Sequence, residues 1–356
     1  MPTKTKEKKV YLELIRIIAI FLVLYCHTGE YGHHFYMSAE GQFNYYLSIF
    51  LAAVCQISVP LFFMISGATL LNKDEKISYL LKHRVLKMVI YILIFVSFQY
   101  YWNIRYMDGI SFDLHYALKL SWSGGAITQQ WYLYAYLEFL LVLPFLRKMV
   151  SAIEDRNTYI YLFVLCLIIK GICPIIAYYS EWPAISLNVS ILLDAIFYSM
   201  IGYFVEYKSQ KIFDKGKVIV ILWVAAVVAV VINTIINSRT YEETGNLLFS
   251  NIFSPIYCLV IFVSVKALFA NGKTPTWLSK ALKFLGSGVF GVYLFEPQVR
   301  ETFFPIYRAL TPVIHSYPAL LLWLLAAVLC GCCFFGVGTV LITRSWGFWL
   351  KVKNRQ

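Results

Sequence analysis

Charged side chains are scarce in this chain. Of its 356 residues only 14% are Asp, Glu, Lys or Arg, whereas 60% are hydrophobic and 18% are aromatic. A soluble protein carries about 25% charged residues, and so much apolar surface cannot be hidden in one water-soluble core. The composition therefore excludes an ordinary soluble protein and predicts an integral membrane protein.

Long segments that lack charge define the expected membrane spans. A helix that crosses a bilayer needs about 20 mostly apolar residues. On that rule we predict an all-α, polytopic fold of about ten transmembrane helices, forming a single membrane domain over residues 1–356. The predicted spans are 10–29, 44–71, 85–104, 129–146, 158–178, 187–207, 217–237, 247–270, 284–306 and 317–343. The ninth is rich in glycine and interrupted at Glu296-Pro297, which is typical of a broken or re-entrant segment.

Acidic residues are outnumbered, with 19 Asp and Glu against 31 Lys and Arg and a net charge of +12. If the N-terminus is cytoplasmic, most of the basic residues fall in inner segments. This asymmetry predicts that both termini are cytoplasmic, and it explains the charge without a nucleic-acid partner. The basic start "MPTKTKEKKV" has no small-residue cleavage site after it, so we expect the first apolar segment to be a retained span. The outer loops hold only Arg105, Lys119, Arg239, Arg300 and Arg308.

Cysteine outside the apolar segments is also lacking. The eight cysteines all lie inside apolar segments, where the run Cys330-Gly331-Cys332-Cys333 suits a helix-packing surface, so the sequence predicts neither a disulfide framework nor a zinc site. The run "HTGEYGHHF" offers His27, Glu30, His33 and His34 at metal-like spacing. Its glycines break the end of the first helix and would hold tetrahedral ligands poorly. We therefore expect no metal.

An arginine and a histidine stand in the first apolar run, "IRIIAIFLVLYCH". Arg16 and His27 are eleven residues apart, which is close to three helical turns, so both project from one face about 16 Å apart along the axis. Glu13 lies one turn before Arg16 and can pair with it. From the spacing alone two interpretations remain: interfacial anchoring of both side chains, or use of both in a reaction.

Four motifs carry a family resemblance. "YLELIRIIAIFLVLYCH", "VPLFFMISGATLL", "QQWYLYAYLEFLLVLP" and "GVFGVYLFEP" occur in this order along the chain. They are similar to the motifs of the integral-membrane acyltransferase family 3, which moves acyl groups onto extracytoplasmic acceptors, and the resemblance covers essentially the whole chain.

The resemblance implies a membrane O-acyltransferase, and most simply an O-acetyltransferase. The implied donor is cytoplasmic acetyl-CoA or another acyl-CoA, and the implied acceptor is a hydroxyl of a cell-envelope glycan or a lipid-linked sugar. It further implies a multi-pass protein embedded in the lipid bilayer of a bacterial plasma membrane. A homo-oligomer is compatible with this implication.

His27 and Arg16 are the catalytic residues that the resemblance implies. Histidine is the natural general base for a hydroxyl attacking a thioester, and arginine can orient donor oxygens or hold developing negative charge. For binding of the polyanionic donor, the candidates are a compact basic patch on the inner side; positive-inside topology is the alternative explanation of that patch. Many relatives have a second arginine where this chain has a lysine, which lacks a bidentate fork. The patch consists of Lys82, His83, Arg84 and Lys87.

Supporting roles are expected for five further residues. Ser66 would need a neighbouring base to act as a nucleophile, so a structural role beside Gly67 is favoured. An acid in mid-span is costly, and Asp194 therefore serves either as a counter-ion, with Lys170 as a candidate partner, or as a substrate contact. The five are Glu13, Ser66, Trp131, Asp194 and Glu296.

A transporter or exporter of a small polar molecule or glycan is the alternative function. Arg16, Lys170 and Asp194 would suit a polar pathway. Inverted internal repeats would favour this function, and the sequence shows none. A cavity that joins Arg16, His27 and Arg84 would favour the enzyme.

Overall fold

The structure is a computed structural model that describes residues 9–105, 107, 110–123, 130–181, 189–213, 215–270 and 274–353. Within these ranges the regular elements are all helical and no strand occurs, which confirms the all-α class. Some predicted features lie outside the described residues. They are the basic start with Lys4, Lys6 and Lys8, the first residue of the span 129–146, and residues 187–188 of the span 187–207.

The first half of the chain contains eight described helices. Two 3₁₀ turns, Gly29–Tyr31 and Phe35–Met37, connect α1 to α2, and a π-helical stretch, Leu81–Val85, joins α4 to α5. A second π-helical stretch, Leu167–Ile172, follows α8. The helices are α1 (Val10–Cys26), α2 (Gln42–Cys55), α3 (Ser58–Leu70), α4 (Ile77–Leu80), α5 (Leu86–Ile104), α6 (Leu114–Trp122), α7 (Trp131–Ala152) and α8 (Arg156–Cys166).

The second half follows the same pattern of long apolar helices with local irregularities. A 3₁₀ turn, Ser190–Leu192, precedes α10, and a third π-helical stretch, Phe204–Lys208, follows it. The helices are α9 (Cys173–Ser180), α10 (Asp194–Tyr203), α11 (Gln210–Phe213), α12 (Gly216–Thr244), α13 (Ser254–Leu268), α14 (Thr276–Leu294), α15 (Glu296–Leu310) and α16 (Ser316–Lys353).

Four helical segments are long and apolar enough to cross a membrane, which agrees with an integral membrane protein. They are Gln42–Leu70, Arg156–Ser180, Gly216–Thr244 and Ser316–Ile342, and the bent pair of α14 and α15 makes a fifth candidate. The total of about ten spans and the cytoplasmic position of the termini stay predictions.

Helix boundaries differ from the predicted spans in two places. The span 44–71 consists of two helices, because α2 ends at Cys55 and α3 begins at Ser58. Within the span 247–270, only Ser254–Leu268 forms a regular α-helix. Hydropathy averages over a window of residues, so it misses local breaks of this kind.

The predicted interruption of the ninth span is confirmed. α14 ends at Leu294, α15 begins at Glu296, and the two axes are bent by 102°. Pro297 lies in the first turn of α15, where its missing N–H leaves no hydrogen bond unmade. The break therefore places Glu296 at a helix start inside the protein, where its side chain is 1% exposed.

α1 lies at the centre of the described helices and packs against α3, α13 and α14, while α14 packs against α16 and α3 against α10. The α3–α10 crossing depends on two glycines. A Cβ on Gly67 would lie 1.8 Å from the Ser199 carbonyl oxygen, and a Cβ on Gly202 would lie 2.0 Å from that of Met64. Two backbones therefore meet here with no room for a side chain.

Gly67→Ala should destabilise the protein, although alanine favours a helix over glycine. Overpacking typically costs about 1–3 kcal/mol, and here the clash is with rigid backbone. Thermal unfolding in detergent measures the effect. Gly216→Ala is the matched control, because a Cβ at Gly216 meets no atom within 4 Å. Equal stability of the two variants would contradict the tight crossing.

Candidate active site

A cavity of about 1670 Å³ opens among α1, α3, α7, α14 and the segment 73–91. We call it the basic cavity, because its lining holds seven cationic side chains and three carboxylates. The excess of cations attracts a polyanion. The cations are Lys9, Arg16, Lys73, Lys76, Lys82, Arg84 and Lys87, and the carboxylates are Glu13, Asp74 and Glu75.

The basic cavity brings together seven of the residues expected to act in the site. Residues of the first helix, the second motif and the basic patch all border the same space, although up to 74 positions separate them in the chain. The seven are Glu13, Arg16, Ser66, Lys82, His83, Arg84 and Lys87. His27, Trp131, Asp194 and Glu296 lie outside its described lining.

Arg16 reaches the basic cavity from a buried ion pair. Its Nη1 donates to Glu13 Oε1 at 2.5 Å, and the Glu13 side chain is only 2% exposed. The other oxygen, Oε2, is buried without a hydrogen-bond partner and packs against Gly286 of α14, where a Cβ would come within 2.2 Å of it. The carboxylate therefore offsets the cost of holding the guanidinium within the helix bundle.

Arg84 lies in an ion cluster centred on Glu75. Its Nε and Nη2 donate to Glu75 Oε2 and Oε1 at 3.0 and 2.6 Å, which is a bidentate contact. Arg147 donates from Nη2 to Glu75 Oε2 at 2.9 Å and from Nε to the Leu70 carbonyl at 3.0 Å. Arg84 is therefore held by an acidic partner and is not a freely exposed cation. Glu75 and Arg147 were missed, since only folding brings an arginine of α7 to this loop.

The other members of the basic patch remain open to the cavity. Lys82 and Lys87 are exposed, and the Lys87 ammonium lies 5.4 Å from the Tyr91 ring centroid. The His83 ring lies 4.4 Å from that of Tyr79. These side chains, rather than Arg84, are free to meet an incoming anion.

A second cluster of ionisable groups forms where α1 ends. His27 follows the last residue of α1, and its Nδ1 lies 3.3 Å from Glu296 Oε2. The two atoms are at ion-pair distance but are not aligned as a hydrogen bond. Glu296 Oε1 accepts a hydrogen bond from Arg300 Nε at 2.8 Å, four residues along α15. Arg300 was missed as a site residue, although the i, i+4 spacing is a sequence signal for this pair.

The two clusters lie at different depths. The lining of the basic cavity follows α1 only as far as Arg16, and His27 lies eleven residues further on. Tyr293, in the last turn of α14, borders the cavity three residues before Glu296. Its ring lies 5.4 Å from that of Tyr132, which also borders the cavity. The end of α14 therefore connects the wall of the basic cavity, at Tyr293, to the buried Glu296.

Comparison with known proteins identifies the family of the chain. The family model of acyltransferase family 3, described as an acyltransferase domain, matches residues 9–343. The chain belongs to acyltransferase family 3. No curated protein and no solved structure gives a significant match. The protein is therefore a membrane acyltransferase, and both clusters lie within the matched domain.

The remaining predicted residues of the acyltransferase lie as follows. Trp131 begins α7 and is half-exposed, whereas the adjacent Tyr132 borders the cavity. Ser66 donates from Oγ to the Phe62 carbonyl at 2.9 Å. Asp194 accepts from Lys170 at 2.6 Å, so the suggested pair forms. The side chains of Lys170 and Asp194 are both about half-exposed, which makes the pair a surface feature of the helices rather than part of the cavity.

Glu75→Gln should lower the thermal stability of the acyltransferase, by an amount that depends on pH. Burial alone would raise the pKa of Glu75, but hydrogen bonds from Arg84 and Arg147 outweigh it and lower the pKa to about 2. A lowered pKa stabilises the fold above the ordinary value of 4.5, and this contribution is lost as the pH falls towards 2. Unfolding of wild type and variant in detergent between pH 7 and pH 3 measures the difference, which should shrink at the acid end.

The exposed neighbour Asp74 provides the control for this experiment. Asp74→Asn should change stability little at any of these pH values, because exposed charges contribute little. A Glu75→Gln difference that is constant across the whole range would contradict the role of the ionised carboxylate.

Proposed function

We propose that the protein transfers an acyl group, most simply acetyl, from cytoplasmic acyl-CoA to a hydroxyl of a cell-envelope glycan or lipid-linked sugar. The observation that carries the proposal is the basic cavity, which joins the patch at 82–87 to Arg16 on α1. Coenzyme A has several phosphate charges at one end and an extended thioester arm at the other. The exposed Lys82 and Lys87 suit the phosphate end, and the part of the basic cavity that leads into the helix bundle suits the thioester arm.

The separation along α1 favours one of the two roles considered for Arg16. About 16 Å of helix lies between Arg16 and His27, so one thioester carbonyl cannot contact both side chains. Arg16 therefore orients the donor arm in the basic cavity. His27 acts at the acyl end, and the acyl group approaches it past Tyr132 and Tyr293.

The reaction at His27 is general-base transfer. Its Nε2 removes the proton from the acceptor hydroxyl, whose oxygen attacks the thioester carbonyl; the new C–O bond forms and the C–S bond breaks. The imidazolium then returns the proton to the departing coenzyme A sulfur. Glu296 faces Nδ1 at 3.3 Å, which favours the tautomer with a proton on Nδ1 and stabilises the imidazolium. Arg300 holds the carboxylate in place.

Lys82→Glu combined with Lys87→Glu should weaken binding of acyl-CoA at least tenfold. Both lysines are exposed at the basic cavity, and reversing their charge repels the phosphates. The dissociation constant of acetyl-CoA in detergent, measured at low and high salt, reports the change, which should be largest at low salt. Lys148→Glu is the control, since this exposed lysine of α7 is outside the described lining. Unchanged binding at low salt would leave the patch as a topology signal only.

His27→Ala should reduce acyl transfer by about 10²–10⁴-fold, the usual effect of losing a general base. Membranes that contain the protein, supplied with acetyl-CoA labelled in the acetyl group, are assayed for label in the glycan and lipid fractions. His34→Ala is the control, because His34 is exposed in the same connection.

Arg300→Gln should lower the rate of acyl transfer by less than His27→Ala does. It should also shift the pH profile of that rate, as expected for a residue that positions Glu296.

Normal transfer by a folded His27→Ala protein would overturn the mechanism. Export of a polar solute that is unaffected by this substitution, without acylation by either protein, would support the transporter instead. The exposed Lys170–Asp194 pair gives no support to that alternative, because it lies outside the described cavity lining.

A further inference from the structure

Three side chains with metal-ligating atoms converge at the end of α1. Cys26 is the last residue of α1, Cys55 is the last residue of α2, and His33 lies in the connection between these helices. One ligand atom from each lies within 4.8 Å of the other two. Cys55 is 29 positions from Cys26 in the chain, so no spacing rule connects the two thiols.

The histidine of this cluster has one nitrogen without a partner. His33 Nδ1 is buried and makes no hydrogen bond, while its Nε2 faces the side-chain amide of Gln56 at 3.3 Å. A histidine that binds a metal through one nitrogen donates the proton of the other to a neighbouring acceptor, which Gln56 provides when its amide turns to present the oxygen. A buried, unpaired ring nitrogen is otherwise costly, so a histidine that has one and lies beside two thiols points to a ligand.

The thiols themselves are held by weak contacts. Cys26 Sγ lies 3.4 Å from the Cys55 carbonyl oxygen, and Cys55 Sγ lies 3.1 Å from that of Ala52. Thiols are weak donors, so these contacts cost little to replace. The Cys55 side chain is 1% exposed, which leaves it inert unless an ion or another partner stabilises its thiolate.

We propose that Cys26, His33 and Cys55 form a binding site for Zn²⁺ that ties the end of α1 to the end of α2. Two thiolates and one imidazole are ligands that zinc prefers, and a fourth position remains for water or another donor. Binding releases the two thiol protons to solvent. The resulting group is electrically neutral, which suits a poorly hydrated site, whereas Cu⁺ with the same ligands would leave a net negative charge.

The site would fix the connection that begins with His27, the residue next to Cys26. This consequence rests on the proposed function, but zinc binding does not. The expectation of no metal considered the cysteines and residues 27–35 separately, and the structure adds to His33 two thiols from the ends of α1 and α2.

Purified full-length protein, stripped with a chelator under reducing conditions, tests the site with Zn²⁺ alone. We expect one Zn²⁺ per chain by elemental analysis and a rise in the unfolding temperature. Co²⁺ in place of Zn²⁺ should give the thiolate charge-transfer band and the intense visible bands of tetrahedral coordination. Cys55→Ser and His33→Gln should each lose the high-affinity ion and the charge-transfer signal or its tetrahedral pattern.

Cys330→Ser and Cys333→Ser are matched controls, because both residues are exposed cysteines of α16 and their loss should leave binding unchanged. His27→Ala should still bind Zn²⁺ while losing acyl transfer, which separates failure of this site from failure of the proposed function. Substoichiometric zinc, binding that survives Cys55→Ser and His33→Gln in folded protein, or a Cys26–Cys55 disulfide in the native protein would overturn the proposal.

Discussion

The cost of burying charge in an apolar helix bundle is the constraint on which this structure depends, and α1 shows it at three depths. Before its first turn, Lys9 pairs with Glu206, which also lies 3.3 Å from Lys266. One turn further in, Glu13 pairs with Arg16. At the far end, His27 faces Glu296. At each depth a basic side chain faces a carboxylate, so α1 can carry polar chemistry through a hydrophobic core.

Arg16 and His27 have different surroundings, and this separation shapes the chemistry. Arg16 borders a cavity whose cations outnumber its carboxylates, whereas His27 contacts a glutamate that the break at Phe295 turns inward. The proposed mechanism accordingly has donor binding and proton transfer at opposite ends of one helix. Glycine crossings such as Gly67 against α10 hold the surrounding helices close enough to keep both ends in place.

Much of this protein was predictable from local patterns. The all-α class, the interruption of the ninth span and the Glu13–Arg16 pair each follow from spacing or hydropathy within a few residues. The family follows from four motifs in order, and the match over residues 9–343 confirms it. The helix break after Cys55 and the late start of α13 at Ser254 were missed, because averaged hydropathy does not register them.

The sequence by itself determined which residues are apolar and which family the chain belongs to. It also determined that Arg16 and His27 lie along one helical run. These properties depend on neighbours in the chain. Tertiary structure alone decided that Arg147 joins Arg84 on the carboxylate of Glu75, that Glu296 reaches His27, and that Cys55 meets Cys26 and His33. These contacts join residues far apart in sequence. The burial that makes them energetically important exists only once the helices have packed.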